Sequence, residues 1–143
     1  MAESENTDLA TVDNSYDDMR ISTLDTSNPK AALKVVSLMA NSQSFYSWNI
    51  QHPNQKFSLQ DIVMEKGVRK DKDTGNYVPC INTTIITGDG ECLMSQSGSL
   101  ARSVQRIIEA CPSLRIDGEP IAVRSIQRVT NGRTYSVIVP DID

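Results

Sequence analysis

A mainly β domain, built as a small barrel of five strands with a helix between the third and fourth, is what three features of this 143-residue chain predict. From Phe57 onward, runs rich in β-branched and aromatic residues recur between turn residues. Two glycine-marked turns, Gly88-Asp89-Gly90 and Asn131-Gly132, each join two such runs. Between the two pairs, one stretch changes from a period of two to the 3.6-residue period of an amphipathic helix.

The elements follow in chain order. Residues 1 to 28 are rich in Ser, Thr, Asn, Asp and Glu and show no sustained period, so they bury too little to offset ordering entropy and read as an acidic tail, disordered or ordered by a partner. In TSNPKAALKVVSLMANS, Ser27 or Asn28 can cap a helix and Pro29 suits its first position. Leu33, Val36 and Ala40 then recur at helical spacing over about three turns. SFYSWNIQHP gathers Phe45, Tyr46 and Trp48, as a stacking platform, an interface anchor or a lid on the core; packing against the barrel is the expected fate, and His52 is given no role.

FSLQDIVMEKGVRK reads as the first strand, with Gly67 marking a bulge or sharp coil. NYVPCINTTIITGDGECLMSQS is a hairpin of strands at 76 to 87 and 91 to 97. In SGSLARSVQRIIEACP, Ser97 or Ser99 caps a helix whose Leu100, Val104, Ile107, Ile108 and Cys111 form one apolar face, and Pro112 closes it. IAVRSIQRVTNGRTYSVIVP is a second hairpin around Asn131-Gly132. Three strands, a helix and two strands, with a glycine interrupting a long first strand, is the order of the OB-fold, a five-stranded Greek-key barrel. A split α+β sandwich gives the same string of elements. The domain division is therefore a tail over 1–28 and an OB-fold domain with a leading helix over 29–143.

A chain of this length supports one modest core. It holds no apolar run long enough for a membrane span, and its start, MAESENTDLATVDNSYDD, is acidic where a secretory signal is basic and then apolar. A soluble, cytoplasmic protein is expected. Cys80, Cys92 and Cys111 have neither zinc-ligand spacing nor an even number, and read as small buried hydrophobes. The net charge of −4 hides a segregation. Residues 1 to 29 hold seven acids against one base, so the remainder of the chain is at +2. An acidic tail on a mildly basic domain results.

A two-residue turn at Asn131-Gly132 sets Thr130 opposite Arg133, Arg128 opposite Tyr135, Ile126 opposite Val137 and Arg124 opposite Val139. The period of two then gathers Arg124, Arg128, Arg133 and Tyr135 on one face; which face points inward is left open. Cations beside a phenol ring are the chemistry single-stranded nucleic acid asks for, since they follow phosphates while the ring stacks on a base. The bland alternative is a solvated hairpin with Arg128 lying across Tyr135 as a cation–π pair. In the barrel the first inter-strand loop, RKDKDTGN, and the last, TNGR, flank the binding groove. Tyr77 at the exit of the first loop is either a stacking residue or an ordinary edge tyrosine.

Asp71-x-Asp73-x-Gly75 fails as a calcium loop. Counted from Asp71, Gly75, Asn76 and Asn82 fall where the EF-hand pattern wants an oxygen ligand, a glycine and a glutamate, and Arg69, Lys70 and Lys72 repel a cation. No nucleophile elbow, phosphate loop or cysteine–histidine pairing is legible, so neither enzyme activity, cofactor nor metal is expected.

Three motifs carry a resemblance: the G-x-x-K-D loop at Gly67–Asp71, the T-x-I-x-x-x-D-G turn at Thr83–Gly90, and S-x-S-x-x-R at Ser97–Arg102. Across residues 57 to 139 the chain resembles the small single-stranded DNA-binding OB-fold proteins of Gram-positive phages and conjugative plasmids. The resemblance implies cooperative coating of exposed strands in replication or transfer, and binding with little sequence preference is expected. Its contacts, carried over by position, are Lys66, Arg69, Lys70, Lys72 and Tyr77 from the first loop and Arg124, Arg128, Arg133 and Tyr135 from the last hairpin. Bacterial proteins of this function end in an acidic tail tipped with Phe, whereas this chain ends in PDID and carries its acids at the start. Self-association through residues 1–28 is expected in place of recruitment through the C-terminus. The expected partner is single-stranded DNA, with RNA or duplex bound more weakly. The rival expectation is a non-catalytic interaction or scaffold module.

Overall fold

Strand pairing organises this molecule around one long strand. The computed structural model describes residues 20–142, which form β1 (Arg20–Ser22), α1 (Pro29–Met39), β2 (Gln43–Ser44), α2 (Phe45–Gln51), β3 (Lys56–Lys70), β4 (Tyr77–Thr87), β5 (Cys92–Ser95), α3 (Gly98–Ala110), β6 (Arg115–Ile116), β7 (Glu119–Pro120), β8 (Ala122–Thr130) and β9 (Arg133–Pro140). β3 pairs antiparallel with β4 from Leu59 to Lys70 and, through Lys56–Ser58, with β8. The principal sheet runs β2-β5-β4-β3-β8-β9, with β1 also on β3. It is a curled half-barrel, and the fold is mainly β with three helices.

Alternation along β3 and β4 sorts residues between the two faces. Ile62 opposite Ile85 and Met64 opposite Thr83 point into the concave core with Leu93. α3 closes that core through Leu100, Val104 and Ile107, each contributing about 1.5–3 kcal/mol by burial. Its cap is Ser97, whose hydroxyl accepts a hydrogen bond from the Leu100 amide at 3.4 Å. On the convex face, Val35 of α1 packs over Ile86 and Cys92 with Leu24, Leu38 and Met39.

Several expectations are corrected here. The apolar stripe expected of α1 faces outward: Leu33 is 66% and Val36 55% exposed, and Ala40 is exposed too. Gly67 sits in regular register opposite Cys80; the irregularity in β3 falls between Leu59 and Asp61. The aromatic segment, expected to pack, does so as a helix, α2. Phe45 and Trp48 are buried, with the Trp48 ring edge-on to Phe57 at 5.4 Å and stacked on His52 at 4.8 Å. The expected tail over 1–28 overlaps β1: residues 1–19 lie outside the described residues, and Arg20–Ser22 pair with Val63–Glu65 of β3. A further hairpin, β6–β7, turns on Asp117 and Gly118, at φ 53° and 81°.

The five strands expected of a barrel are present as the continuous path β5-β4-β3-β8-β9. Among the described residues β5 and β9 do not pair. The outer edge of β5 is taken by β2, in parallel, and α2 follows at once, packed against β5, β8 and β9. A helix thus stands in the gap between the two ends of the sheet.

Candidate nucleic-acid interface

Asn131 and Gly132 at φ 53° and 75° form the two-residue turn that matches strand twist, and it fixes the hairpin register. Thr130 pairs with Arg133, Arg128 with Tyr135, Ile126 with Val137 and Arg124 with Val139, as the sequence pattern implies. Val123, Ser125, Ser136 and Ile138 are buried on the core side, which places Arg128 and Tyr135 on the other face.

α3 runs beside the edge of β9 that faces away from β8. The Ser103 hydroxyl donates to the Leu100 carbonyl at 2.8 Å and accepts from the Ile138 amide at 3.4 Å, so it stitches helix to strand. With Leu100, Val104 and Ile107 turned inward, Arg102 and Arg106 are left exposed on the helix flank beside β9. Between helix and hairpin lies a groove of about 510 Å3. Arg102, Arg106, Arg128 and Tyr135 line it, over apolar Ile107, Val137 and Val139, and among the described residues no carboxylate does. Among the described residues none of the three guanidiniums is ion-paired. Such a groove offers cations for phosphates, a ring for stacking and an apolar floor for bases.

The remaining expected site residues sit elsewhere. Arg124 is engaged: one guanidinium nitrogen donates to Asp141 Oδ2 at 2.8 Å and the other to the Asn54 carbonyl at 2.8 Å, while Lys56 Nζ lies 3.8 Å from the same carboxylate. Arg133 is exposed at the hairpin tip and does not line the groove. Lys66, Arg69, Lys70, Lys72 and Tyr77 belong to the far end of the β3–β4 ribbon. The antiparallel register sends that ribbon and the β8–β9 tip in opposite directions from the Lys56–Ser58 segment. In the ribbon tip Tyr77 is 72% exposed, opposite Lys70.

The loop between them is folded by Asp71. Its carboxylate accepts from the Thr74 hydroxyl at 2.9 Å and its carbonyl from the Gly75 amide at 2.8 Å. The Thr74 hydrogen bond is the main reason its carboxyl titrates below the usual range. Three residues in from Tyr77, opposite Gly67, burial pushes the Cys80 thiol up, against the pull of Arg69.

Arg102 and Arg106 are the groove residues that the sequence pattern left out. Cations at i, i+4 on an amphipathic helix read as its solvated face; only the tertiary approach of β9 turns that flank into a wall. Among the described residues no group of three His, Cys, Asp or Glu could hold a metal ion, and no helix is long and apolar enough to cross a membrane. No protein-family model, curated protein or solved structure matches the chain.

Proposed function

We propose that this protein is a non-catalytic, sequence-independent single-stranded DNA-binding protein of the OB type. The observation that carries the reading is the groove between α3 and the β8–β9 hairpin, where three guanidiniums and a tyrosine converge with no carboxylate among the described residues. The path β5-β4-β3-β8-β9, with a long hub strand and a helix after its third strand, supports the OB assignment. The three short motifs shared with small DNA-binding proteins of Gram-positive phages and plasmids support a role in coating exposed strands during replication or transfer.

A protein-interaction module is the second reading, and Leu33 and Val36 on the outward face of α1 favour it. Fluorescence anisotropy of a labelled oligo-dT, titrated with protein at several salt concentrations, separates the two. Strand binding predicts saturable association that weakens as salt rises. A scaffold predicts none.

A further inference from the structure

We infer, resting on the strand-binding reading, that the strand's backbone lies along α3, with successive phosphates on Arg102 and Arg106, another on Arg128 and one base on Tyr135. The footprint of each protomer is then about three phosphates, and the β3–β4 ribbon tip takes no part in it.

The helix supplies the spacing. Arg102 and Arg106 are one turn apart, about 6 Å along the axis, which is of the order of the distance between neighbouring phosphates in an extended strand. Both line the groove from the same side, and like charges at i, i+4 repel. An anion bound between or beside them relieves that repulsion, which no carboxylate among the described residues does.

The opposite wall supplies the rest. Arg128 faces Tyr135 directly across the β8–β9 ladder, so a base stacked on the half-buried ring brings its phosphate toward a third guanidinium. Val137 and Val139 continue from Tyr135 on the same face as an apolar bed. A cleft of about 510 Å3 admits a few nucleotides and no duplex. The ribbon tip is different in kind. Its apolar residues, Val68 and Tyr77, stand 56% and 72% exposed, its loop cations are interleaved with Asp71 and Asp73, and the register directs it away from the groove.

Counterion release turns this footprint into a number. For the full chain on oligo-dT, the plot of log K against log salt has an expected slope of about −2, from three phosphates at about −0.7 each. Arg102→Gln and Arg106→Gln each reduce it to about −1.4 and the pair of changes to about −0.7, while Lys70→Gln with Lys72→Gln leaves it at about −2. Circular dichroism checks that the variants fold. A readout free of substitutions is photocrosslinking of the unaltered protein to 5-iodo-deoxyuridine oligonucleotides, with the adduct expected on Tyr135. Unchanged slopes in the Arg102 and Arg106 variants, a slope reduced by the Lys70 and Lys72 changes, or an adduct on Tyr77 overturns the footprint and leaves strand binding intact. No saturable binding of oligo-dT by the unaltered protein overturns both.

Discussion

Gly67 shows how much a single missing Cβ decides. A Cβ built there would lie 2.3 Å from the Asn82 amide nitrogen, because the Asn82 side chain crosses the strand at that point. Asn82 Oδ1 in turn accepts from Gln96 Nε2 at 3.0 Å, and the same nitrogen donates to the Val68 carbonyl at 3.0 Å. Gly67→Ala must displace Asn82 and break this link, so it should cost about 1 kcal/mol in urea unfolding. Adding Asn82→Ala should recover part of the loss, a coupling that a double-mutant cycle measures. Asp61 behaves in the opposite sense. Burial raises its carboxyl against the Thr23 hydrogen bond and the charge of Arg115, so the folded state disfavours the carboxylate. Its contribution to stability is full below the ordinary carboxyl range and is lost as pH rises through the raised value. Asp61→Asn, which keeps an acceptor for Thr23, should therefore melt above the unaltered protein at pH 7 and lose that advantage on acidification. At this scale the Arg128–Tyr135 pair was legible, because an Asn-Gly turn fixes every partner along the ladder. The latch of Arg124 onto Asp141 was not, since it runs diagonally past the directly paired Val139 to a residue beyond the end of β9.

Helices were harder to read than hairpins, for physical reasons that differ between them. α1 carries two apolar stripes, one through Leu33, Val36 and Ala40 and one through Val35, Leu38 and Met39. Helical period alone cannot choose between them; contact with Ile86 and Cys92 does. Substituting Leu33 or Val36 with Gln should change stability by less than about 0.5 kcal/mol, whereas Val35→Ala should cost about 2 kcal/mol. α2 has only seven residues, too few for a period to declare itself, and its cap, Ser44, bonds the Ser47 amide at 3.3 Å. Its weight comes from position, between β5 on one side and β8 and β9 on the other. Trp48→Ala removes the ring that joins Phe45, His52 and Phe57, and a loss of about 3–5 kcal/mol is expected from denaturant unfolding followed by circular dichroism. The β3–β4, β4–β5 and β8–β9 hairpins, by contrast, announce themselves through glycine turns and period-two runs.

The molecule as a whole carries a net charge of −4, yet the groove between α3 and the β8–β9 hairpin has no acid among the described residues of its lining. Segregation of this kind was visible in the sequence, where the acids crowd the first 29 residues. The location of the basic groove was half visible: the hairpin wall followed from register, and the helix wall required the packing of α3 on β9. For the proposed function, three guanidiniums predict strand binding of modest strength that salt weakens, with stacking on Tyr135 as the component salt should leave largely alone. Tyr135→Ala should thus cost on the order of 1–3 kcal/mol in binding while leaving the salt slope near its original value. The most direct test of the groove is oligo-dT anisotropy across a salt series, comparing the unaltered protein with Tyr135→Ala. Saturable binding with a slope of about −2, weakened by the substitution at every salt concentration, is the predicted result. Saturable binding that ignores both salt and Tyr135, or no binding at low salt, would contradict it.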